Sequence, residues 1–374
     1  MTKAGCRGCG SEDTVQVLDL GLQPGSDHFP LVTEAVVDER WPLELWLCET
    51  CALVQLGPVS PRLPEPALAV ESATSRAHAA ASVAEILGSH RELVGGTVYE
   101  FASHHGGSWL DHLTSAGCRV AAGDASADLV IDVHALPHEP QLSPALALRA
   151  ARLAPRGLLV LEFHHLLPLF LGSQFDTVRH GHWSYLSLTA LRGLADRHGL
   201  RVLSAHAEPV FGGSLRVALV HASTSRLPDD TVQPVLDSEA AAGLTDAARL
   251  VGLQDAALHA SRALHAHLES LRASGQVVLG YGAPSKAAVL LGVSEIGPDL
   301  LPFTVDAAVA KHGRRIPACG VPIRPVEDLR TARPDVVLVL TWDIVDEVME
   351  QLEAGGGWGA SYLVPFPEPH PVGR

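Results

Sequence analysis

Paired cysteines near the N-terminus constrain the fold of this chain more than any other feature. Cys6 and Cys9 form one C-x2-C spacing, and Cys48 and Cys51 form a second. Two such knuckles can present four thiolates to one metal ion, and zinc prefers this tetrahedral sulfur set. A disulfide pair or incidental thiols are the alternatives, but identical spacings are rarely incidental and disulfides do not suit a cytoplasmic chain. We therefore predict a structural zinc ion in a small module over residues 1–60.

Composition excludes several classes of partner. The chain has 374 residues, of which 47% are hydrophobic and 18% charged, and this is typical of a globular protein with two or three domains. A formal net charge of −15 leaves no broad basic face for nucleic acid or an anionic membrane. The apolar runs are far shorter than the roughly 20 residues that span a bilayer, and the N-terminus lacks a signal-peptide pattern. We expect a cytoplasmic protein, and its oligomeric state stays open.

The rest of the chain alternates between apolar strands and helical stretches. One alternation runs from Gly96 to His221 and a second begins at Val277, with a long helical pattern over 245–273 between them. Such alternation is typical of mainly parallel sheets covered by helices, so we predict an α/β fold. The Pro-rich tail after Pro365 is expected to be only a cap. The predicted units are the zinc-binding module at 1–60, an α/β domain at 61–222, and a linker helix with a second, Rossmann-like domain at 223–374.

The segment VYEFASHHGGSWLDHL suggests a cofactor site. It is a strand that ends near Glu100, a turn that contains Gly106, and then a helix, and Asp124 lies at the end of the next strand. Such turns let the backbone approach an adenosine-containing ligand, and an acidic residue on the next strand commonly meets its ribose. The alternative is a simple β-to-α turn, because the loop lacks a clean G-x-G-x-x-G.

The segment FDTVRHGHWSYLSL suggests proton transfer. It places His180 and His182 two positions apart, flanked by Arg179 and Tyr185. Imidazole is the side chain best suited to move a proton near neutral pH. Metal ligation and a plain surface location are alternatives in a chain with 20 histidines.

The segment VVLGYGAPSKAAVLL suggests an anion site. An apolar strand, a tight turn at Gly282 and a helix that starts near Pro284 bring Ser285 and Lys286 to a helix N-terminus. Backbone N–H groups and a lysine there can bind a phosphate group. The alternative is a packing turn with an incidental lysine.

Together with CRGCGS, VLDLGLQPGSDHF, GGSLR, VDAAVAKHGRRIPACGVPI and VLTWD, these segments resemble the sugar C-methyltransferases that act on nucleotide-linked deoxy-4-ketosugars in antibiotic pathways. The resemblance covers nearly the whole chain, in order. It implies that the middle domain is methyltransferase-like and that His182 removes the proton beside the ketone, with His180 or His164 as possible substitutes. It also implies a nucleotide-diphosphate sugar as the partner, bound by Arg179, Tyr185, Gly213, Ser214, Arg216, Gly282, Ser285 and Lys286.

The chain departs from the family pattern around the cofactor. Arg179 and Gly181 stand where the family has a tyrosine and a glutamate, and Phe211 replaces a common histidine. His104 and His105 replace the Asn-Asp of the cofactor turn, and the strand and helix expected after Asp124 are missing. The missing strand would lie at the edge of a methyltransferase-type sheet, where it supplies part of the adenine pocket. We therefore expect S-adenosylmethionine to bind weakly or not at all.

These features lead to three hypotheses for function. The preferred one is deprotonation beside the ketone of a nucleotide-linked sugar without methyl transfer, as in an epimerase or isomerase. The first alternative is an S-adenosylmethionine-dependent nucleotide-sugar C-methyltransferase. The second alternative is a non-catalytic protein that binds a nucleotide sugar as the partner of a true methyltransferase.

Overall fold

A computed structural model describes residues 5–35, 37–61, 70–103 and 107–373. They form three β-sheets with helices packed on and between them. The strands are β1 (Thr14–Pro24), β2 (Arg40–Cys48), β3 (Val54–Leu56), β4 (Thr97–Phe101), β5 (Arg119–Val120), β6 (Ala127–Val133), β7 (Leu153–His164), β8 (Ser184–Tyr185), β9 (Leu200–Glu208), β10 (Ser214–His221), β11 (Val278–Tyr281), β12 (Thr304–Val305), β13 (Ile323–Arg324), β14 (Val336–Val339), β15 (Ser361–Val364) and β16 (His370–Val372). The α-helices are α1 (Ala73–Ser89), α2 (Leu110–Ser115), α3 (Leu142–Arg152), α4 (Leu166–Leu171), α5 (Leu188–Arg197), α6 (Val232–Ala242), α7 (Ala247–Leu250), α8 (Gly252–Ala273), α9 (Ser285–Val293), α10 (Val326–Ala332) and α11 (Val345–Ala354).

The N-terminal sheet is antiparallel, with the order β1-β2-β3-β8. Its fourth strand is supplied by a distant part of the chain, because Val54 pairs with Tyr185 and Gln55 with Ser184. The RHGHWSY segment is therefore hydrogen-bonded to the cysteine module. The N-terminal sheet thus contains residues from both sides of the predicted boundary near residue 60, because β3 precedes that boundary and β8 follows it.

The middle sheet has the order β5-β4-β6-β7-β10-β9. Its first four strands are parallel, and β10 runs antiparallel to both β7 and β9. Within the described part of the chain β5 is an edge strand, and a short turn leads from it directly to β6. This agrees with the shortening read from the sequence after Asp124. Because the loss lies at an edge, both faces of the remaining sheet keep continuous apolar cores.

The C-terminal sheet has the order β13-β12-β11-β14-β15-β16 and is parallel except for β16. The expectation that the tail after Pro365 is only a cap is wrong, because His370–Val372 adds an edge strand to β15. The alternation of strands and helices and both larger α/β units agree with the predicted fold class, which is confirmed. The domain bounds themselves stay a prediction.

Helix α8 joins the N-terminal and C-terminal sheets. Leu253, Leu264 and Leu268 are buried on one face of the helix and belong to a core cluster that includes residues of β1, β2 and α9. The helical spacing of these leucines in the sequence predicted that face. Among the described residues, no helix is long and apolar enough to cross a membrane.

A buried ion pair holds the turn that follows β6. Arg149 Nε lies 2.7 Å from Asp132 Oδ2, and both side chains are 1% exposed. The other carboxylate oxygen of Asp132 accepts hydrogen bonds from the backbone N–H groups of Ala135 and Leu136, each at 3.0 Å. The turn carries His134 to the carboxyl end of the sheet, so this pair positions part of the site described below.

We predict that Asp132→Ala lowers the free energy of unfolding by about 3–5 kcal/mol, because it removes the nearest countercharge of the buried Arg149 guanidinium and leaves it with the Glu139 carboxylate at 3.4 Å. The double variant Asp132→Ala/Arg149→Met should lose less than Asp132→Ala alone. Asp124→Ala is the control, since the Asp124 carboxylate pairs with Arg152 but is fully exposed and should matter little. Urea denaturation measures all three variants, and equal losses in Asp132→Ala and Asp124→Ala would contradict the prediction.

Candidate functional site

The four cysteines of the two knuckles form one cluster. Their sulfur atoms all lie within 4.8 Å of one another, with Cys6 Sγ at 3.5 Å from Cys51 Sγ and Cys9 Sγ at 3.6 Å from Cys48 Sγ. Zinc–sulfur bonds of about 2.3 Å in a tetrahedron place the sulfurs about 3.8 Å apart. The arrangement therefore fits a zinc ion with four thiolate ligands and no open position for a substrate.

The second candidate site lies where the RHGHWSY segment meets the N-terminus of α9. Asp27 joins the two, because one carboxylate oxygen pairs with Arg179 Nη1 at 3.0 Å and the other accepts a hydrogen bond from Ser285 Oγ. The backbone N–H of Arg179 donates to the hydroxyl of Tyr185 at 3.0 Å. The structure thus brings together three of the predicted substrate-binding residues, and Asp27 links them.

Lys286 lies beside this group on α9. Its ammonium group pairs with Asp343 and sits 4.0 Å from the centroid of the Trp342 ring. The indole N–H of Trp342 donates to Asp176 Oδ2 at 2.8 Å. Burial raises the pKa of Asp176 to about 6, and the nearby Lys286 opposes this rise. The FDT, PSK and TWD segments of the sequence therefore meet around one lysine.

The predicted substrate-binding residues Gly213 and Gly282, and Gly212 beside the first of them, lie where chain segments pack closely. Gly212 has a φ of +79°, and a Cβ there would lie 2.5 Å from Trp342 Cη2. A Cβ at Gly213 would lie 2.6 Å from Pro168, and one at Gly282 would lie 2.7 Å from Thr341. Ser214 is buried and its hydroxyl donates to the Val210 carbonyl at 3.3 Å. These residues let the chain segments approach each other closely.

His182 lies in a buried aromatic cluster. The residue is 1% exposed. The centroid of its ring lies 4.7 Å from the ring centroid of Tyr185, 5.1 Å from that of His138 and 5.6 Å from that of His164. Burial raises the pKa of Tyr185 above its ordinary value, so the hydroxyl stays protonated at neutral pH. The sequence analysis did not identify His138, although its place after a predicted strand end was a usable signal.

His180 and Arg216 lie apart from His182. His180 Nε2 is 3.2 Å from the Gln23 carbonyl and its ring contacts Trp41, so it anchors the segment to the N-terminal sheet. Burial lowers the pKa of His180. Arg216 points to the α1 face of the middle sheet, where it pairs with Glu85 at 2.6 Å and Glu208 at 2.7 Å. Neither side chain joins the cluster around Lys286.

The predicted cofactor residues lie at the carboxyl ends of β4 and β5. The Glu100 carboxylate accepts hydrogen bonds from the Trp109 N–H at 2.7 Å and the Ser108 hydroxyl at 2.5 Å, and so holds the turn after β4. Asp124 is exposed and pairs with Arg152. Gly106, His104 and His105 lie outside the described residues. A cavity at this edge is lined by Ser103, Gly107, Trp109, Val133, His134 and Phe211, together with Glu71, Ser75 and His78.

Comparison with known proteins finds similarity to C-methyltransferases. Residues 6–62 match the family model described as “Putative zinc binding domain”, and residues 209–367 match the one described as “C-methyltransferase C-terminal domain”. The chain is 29% identical to the C-methyltransferase NovU of Streptomyces niveus over 422 aligned positions, which cover 98% of this chain and 96% of NovU. The chain is thus similar to a C-methyltransferase over nearly its whole length.

The solved structures that resemble this chain are more distant in sequence. One is the 1,6-didemethyltoxoflavin-N1-methyltransferase of Burkholderia thailandensis, with 13% identity, a TM-score of 0.30, and coverage of 47% of this chain and 96% of that one. Another is the magnesium protoporphyrin IX methyltransferase of Synechocystis PCC 6803, with 12% identity, a TM-score of 0.30, and coverage of 41% and 89%. Both likenesses are confined to part of the chain.

The similarity to a C-methyltransferase bears on two expectations. The predicted zinc-binding module is supported by both the family model and the cysteine geometry. The expectation that the chain works without methyl transfer, and the doubt about S-adenosylmethionine, find no support in a C-methyltransferase relative that aligns over nearly the whole chain. The roles of the individual site residues stay predictions.

For the metal site we predict about one zinc ion per chain and its loss in Cys48→Ser, because a site with three thiolates holds the metal less tightly and the module depends on it for folding. Cys319→Ser is the matched control, since this cysteine lies outside the cluster and should leave the zinc content unchanged. Elemental analysis with thermal denaturation measures both effects. A fully folded protein without metal would contradict the prediction.

Proposed function

We propose that this chain transfers a methyl group from S-adenosylmethionine to the carbon beside the ketone of a nucleotide-linked deoxy-4-ketosugar. The observation that carries the proposal is the convergence of buried His182 and Tyr185 with Arg179, Ser285 and Lys286 at the junction of the three sheets. The alignment with a C-methyltransferase over 98% of the chain supports methyl transfer over the epimerase reading.

The positive groups of the junction suit a diphosphate. Lys286 stands in the first turn of α9, where backbone N–H groups also favour an anion. Arg179 is linked to the same turn through Asp27, because one Asp27 oxygen pairs with Arg179 and the other accepts from Ser285. Both cations are paired with carboxylates in the described structure. A bound diphosphate would compete with Asp27 and Asp343 for them, and the two carboxylates keep the cations in place before substrate binds.

His182 is the proposed base. A ketone makes the neighbouring C–H acidic, and an imidazole held close to that carbon can take its proton while nearby donors stabilise the enolate. The Tyr185 hydroxyl accepts from the Arg179 backbone and stays protonated, so its role is to pack against and orient the His182 ring. The enolate carbon then becomes the nucleophile for the methyl group.

The methyl donor would bind at the carboxyl edge of β4, β5 and β6. Glu100 holds the turn, Gly107 approaches Glu71 so closely that a Cβ would lie 2.9 Å from its carboxylate, and exposed Asp124 stands at the end of β5. These residues fit the adenosine and ribose portions of S-adenosylmethionine. When bound, the cofactor supplies an electrophilic methyl group. Because β5 is the edge strand of the described sheet, the adenine side of the site is more open than it would be with a further strand.

The proposed base predicts hydrogen exchange. Wild-type protein incubated with a nucleoside-diphosphate 4-keto-6-deoxysugar in deuterated water should exchange one C–H, and addition of S-adenosylmethionine should replace that hydrogen with a methyl group, which makes the product heavier by one CH2 unit. His182→Asn should lower both rates by at least about a hundredfold, because it removes the base. His259→Asn, on the exposed face of α8, is the control and should retain both rates. Mass spectrometry and proton NMR follow the two reactions.

The outcomes separate the three hypotheses for function. Exchange together with methylation supports the proposal. Exchange without methylation at saturating S-adenosylmethionine supports the hypothesis of an epimerase or isomerase instead. Tight sugar binding without exchange or methylation leaves the non-catalytic binding role.

The anion site predicts a binding defect. Lys286→Met should weaken the binding of UDP or dTDP by about tenfold to a hundredfold, since a charge-assisted contact to phosphate is lost. The double variant Lys286→Met/Asp343→Asn removes the carboxylate that would otherwise stand unpaired, and it should bind as weakly. Arg272→Met, an exposed residue of α8, is the control. Calorimetric titration measures the affinities, and unchanged binding in both Lys286 variants would contradict the assignment.

A further inference from the structure

We propose that Glu162, which lies beyond the rings of His134 and His164, is the buried carboxylate whose negative charge stabilises the protonated form of His182 after His182 has taken the substrate proton. This inference rests on the proposed role of His182 as the base. We name Glu162, His134 and His164 the histidine–carboxylate array. In this array, Glu162 provides the negative charge near the base that a glutamate at the position of Gly181 would otherwise provide.

Glu162 is the charged end of the array. It lies on β7, is 1% exposed, and both of its carboxylate oxygens lie 2.9 Å from His78 Nε2 on α1. Its Oε1 is also 3.7 Å from His134 Nε2. Burial alone would raise the pKa of Glu162, but the interactions with His134 and His78 outweigh burial and lower it to about 2. The carboxylate is therefore ionised at neutral pH.

His134 is held in an unusual conformation that suits this role. Its φ of +58° is left-handed, which is rare for a residue with a side chain and tends to occur at functional sites. The backbone N–H of His134 donates to the Glu162 carbonyl at 2.7 Å, and Asp132 fixes the turn that follows. The ring is buried between Glu162 and His164.

Contacts between rings complete the connection to the base. The centroids of His134 and His164 are 4.6 Å apart, and those of His164 and His182 are 5.6 Å apart with the ring planes at 25°. All these rings lie at the carboxyl ends of β6 and β7 or in the RHGHWSY segment. The order from carboxylate to base is Glu162, His134, His164 and His182.

The proton balance of the array is simple. When the substrate C–H bond breaks, its electron pair forms the enolate and the proton forms a new N–H bond on His182. The proton stays on His182, which becomes a positively charged imidazolium. Glu162 stays ionised, and its negative charge stabilises that extra proton. His78, which lines the cavity with Glu71 and Ser75, holds the Glu162 carboxylate in place through its Nε2 atom.

The other charged groups around the array do not replace Glu162. On the α1 face, Arg216 lies between Glu85 and Glu208 and is paired with both, so its positive charge offsets much of the field of these two carboxylates. The titratable and charged groups that face the array and the base are His78 and Glu85 from α1, His206 and Glu208 from β9, Arg216 from β10, His138 after β6, and Tyr185 and Arg179 of the RHGHWSY segment.

The test measures the pKa of His182 directly by NMR of histidine ring signals in labelled protein, with His182→Asn to assign its signals. Glu162→Gln removes the charge and keeps the shape, and His134→Asn keeps a residue that tolerates the left-handed conformation. Each variant should lower the pKa of His182 by on the order of one unit, because the protonated ring loses a stabilising negative charge or its connection to it. His221→Asn, at the opposite end of β10, is the control and should cause no shift.

The same variants separate this inference from the proposed function. The acid limb of the pH profile for deuterium exchange should move to lower pH in Glu162→Gln and His134→Asn, by the shift that NMR gives. If wild-type protein shows no exchange, the proposed function fails, while the NMR titration still decides whether the array acts on His182. An unchanged pKa of His182 in both folded variants overturns the inference.

Discussion

The pairing of β8 with β3 is the contact on which the candidate site depends. Through it, Ser184 and Tyr185 become part of the sheet that carries the cysteine cluster, and the preceding residues are held between the three sheets. His182 and Arg179 are close to this pairing in the sequence, so their positions follow from it. A metal that orders the N-terminal module would therefore also order the proposed base, although no ligand of the cysteine cluster approaches a substrate.

Carboxylates organise the rest of the junction. Asp27 joins Arg179 to Ser285, Asp343 holds Lys286, and Asp176 accepts from Trp342. Asp27 and Asp176 each bind groups from distant parts of the chain. Asp343 and Lys286 both belong to the C-terminal unit. Partly buried ion pairs and hydrogen bonds of this kind add geometric specificity more than stability. The junction thus presents cations in fixed positions that an anionic ligand can use.

The middle sheet keeps an apolar core on each face although β5 is its edge among the described residues. Removal of a strand beyond β5 leaves the parallel strands β4, β6 and β7 and their apolar faces intact. The same sheet carries histidines at its carboxyl edge, where His134 and His164 lie beside a buried glutamate. Their side chains occupy the region between the proposed cofactor edge and His182, and this links the two sites physically.

The sequence by itself determined the features that depend on local spacing. The C-x2-C knuckles, the alternation of strands and helices, the leucine face of α8 and the shortening after Asp124 are all short-range patterns, and they were predicted correctly. Only the tertiary structure decided which side chains meet. Arg216 faces α1, His180 anchors to the Gln23 carbonyl, and Glu162 reaches His134, because strand register sets the face on which a side chain lies and brings together residues far apart in the chain.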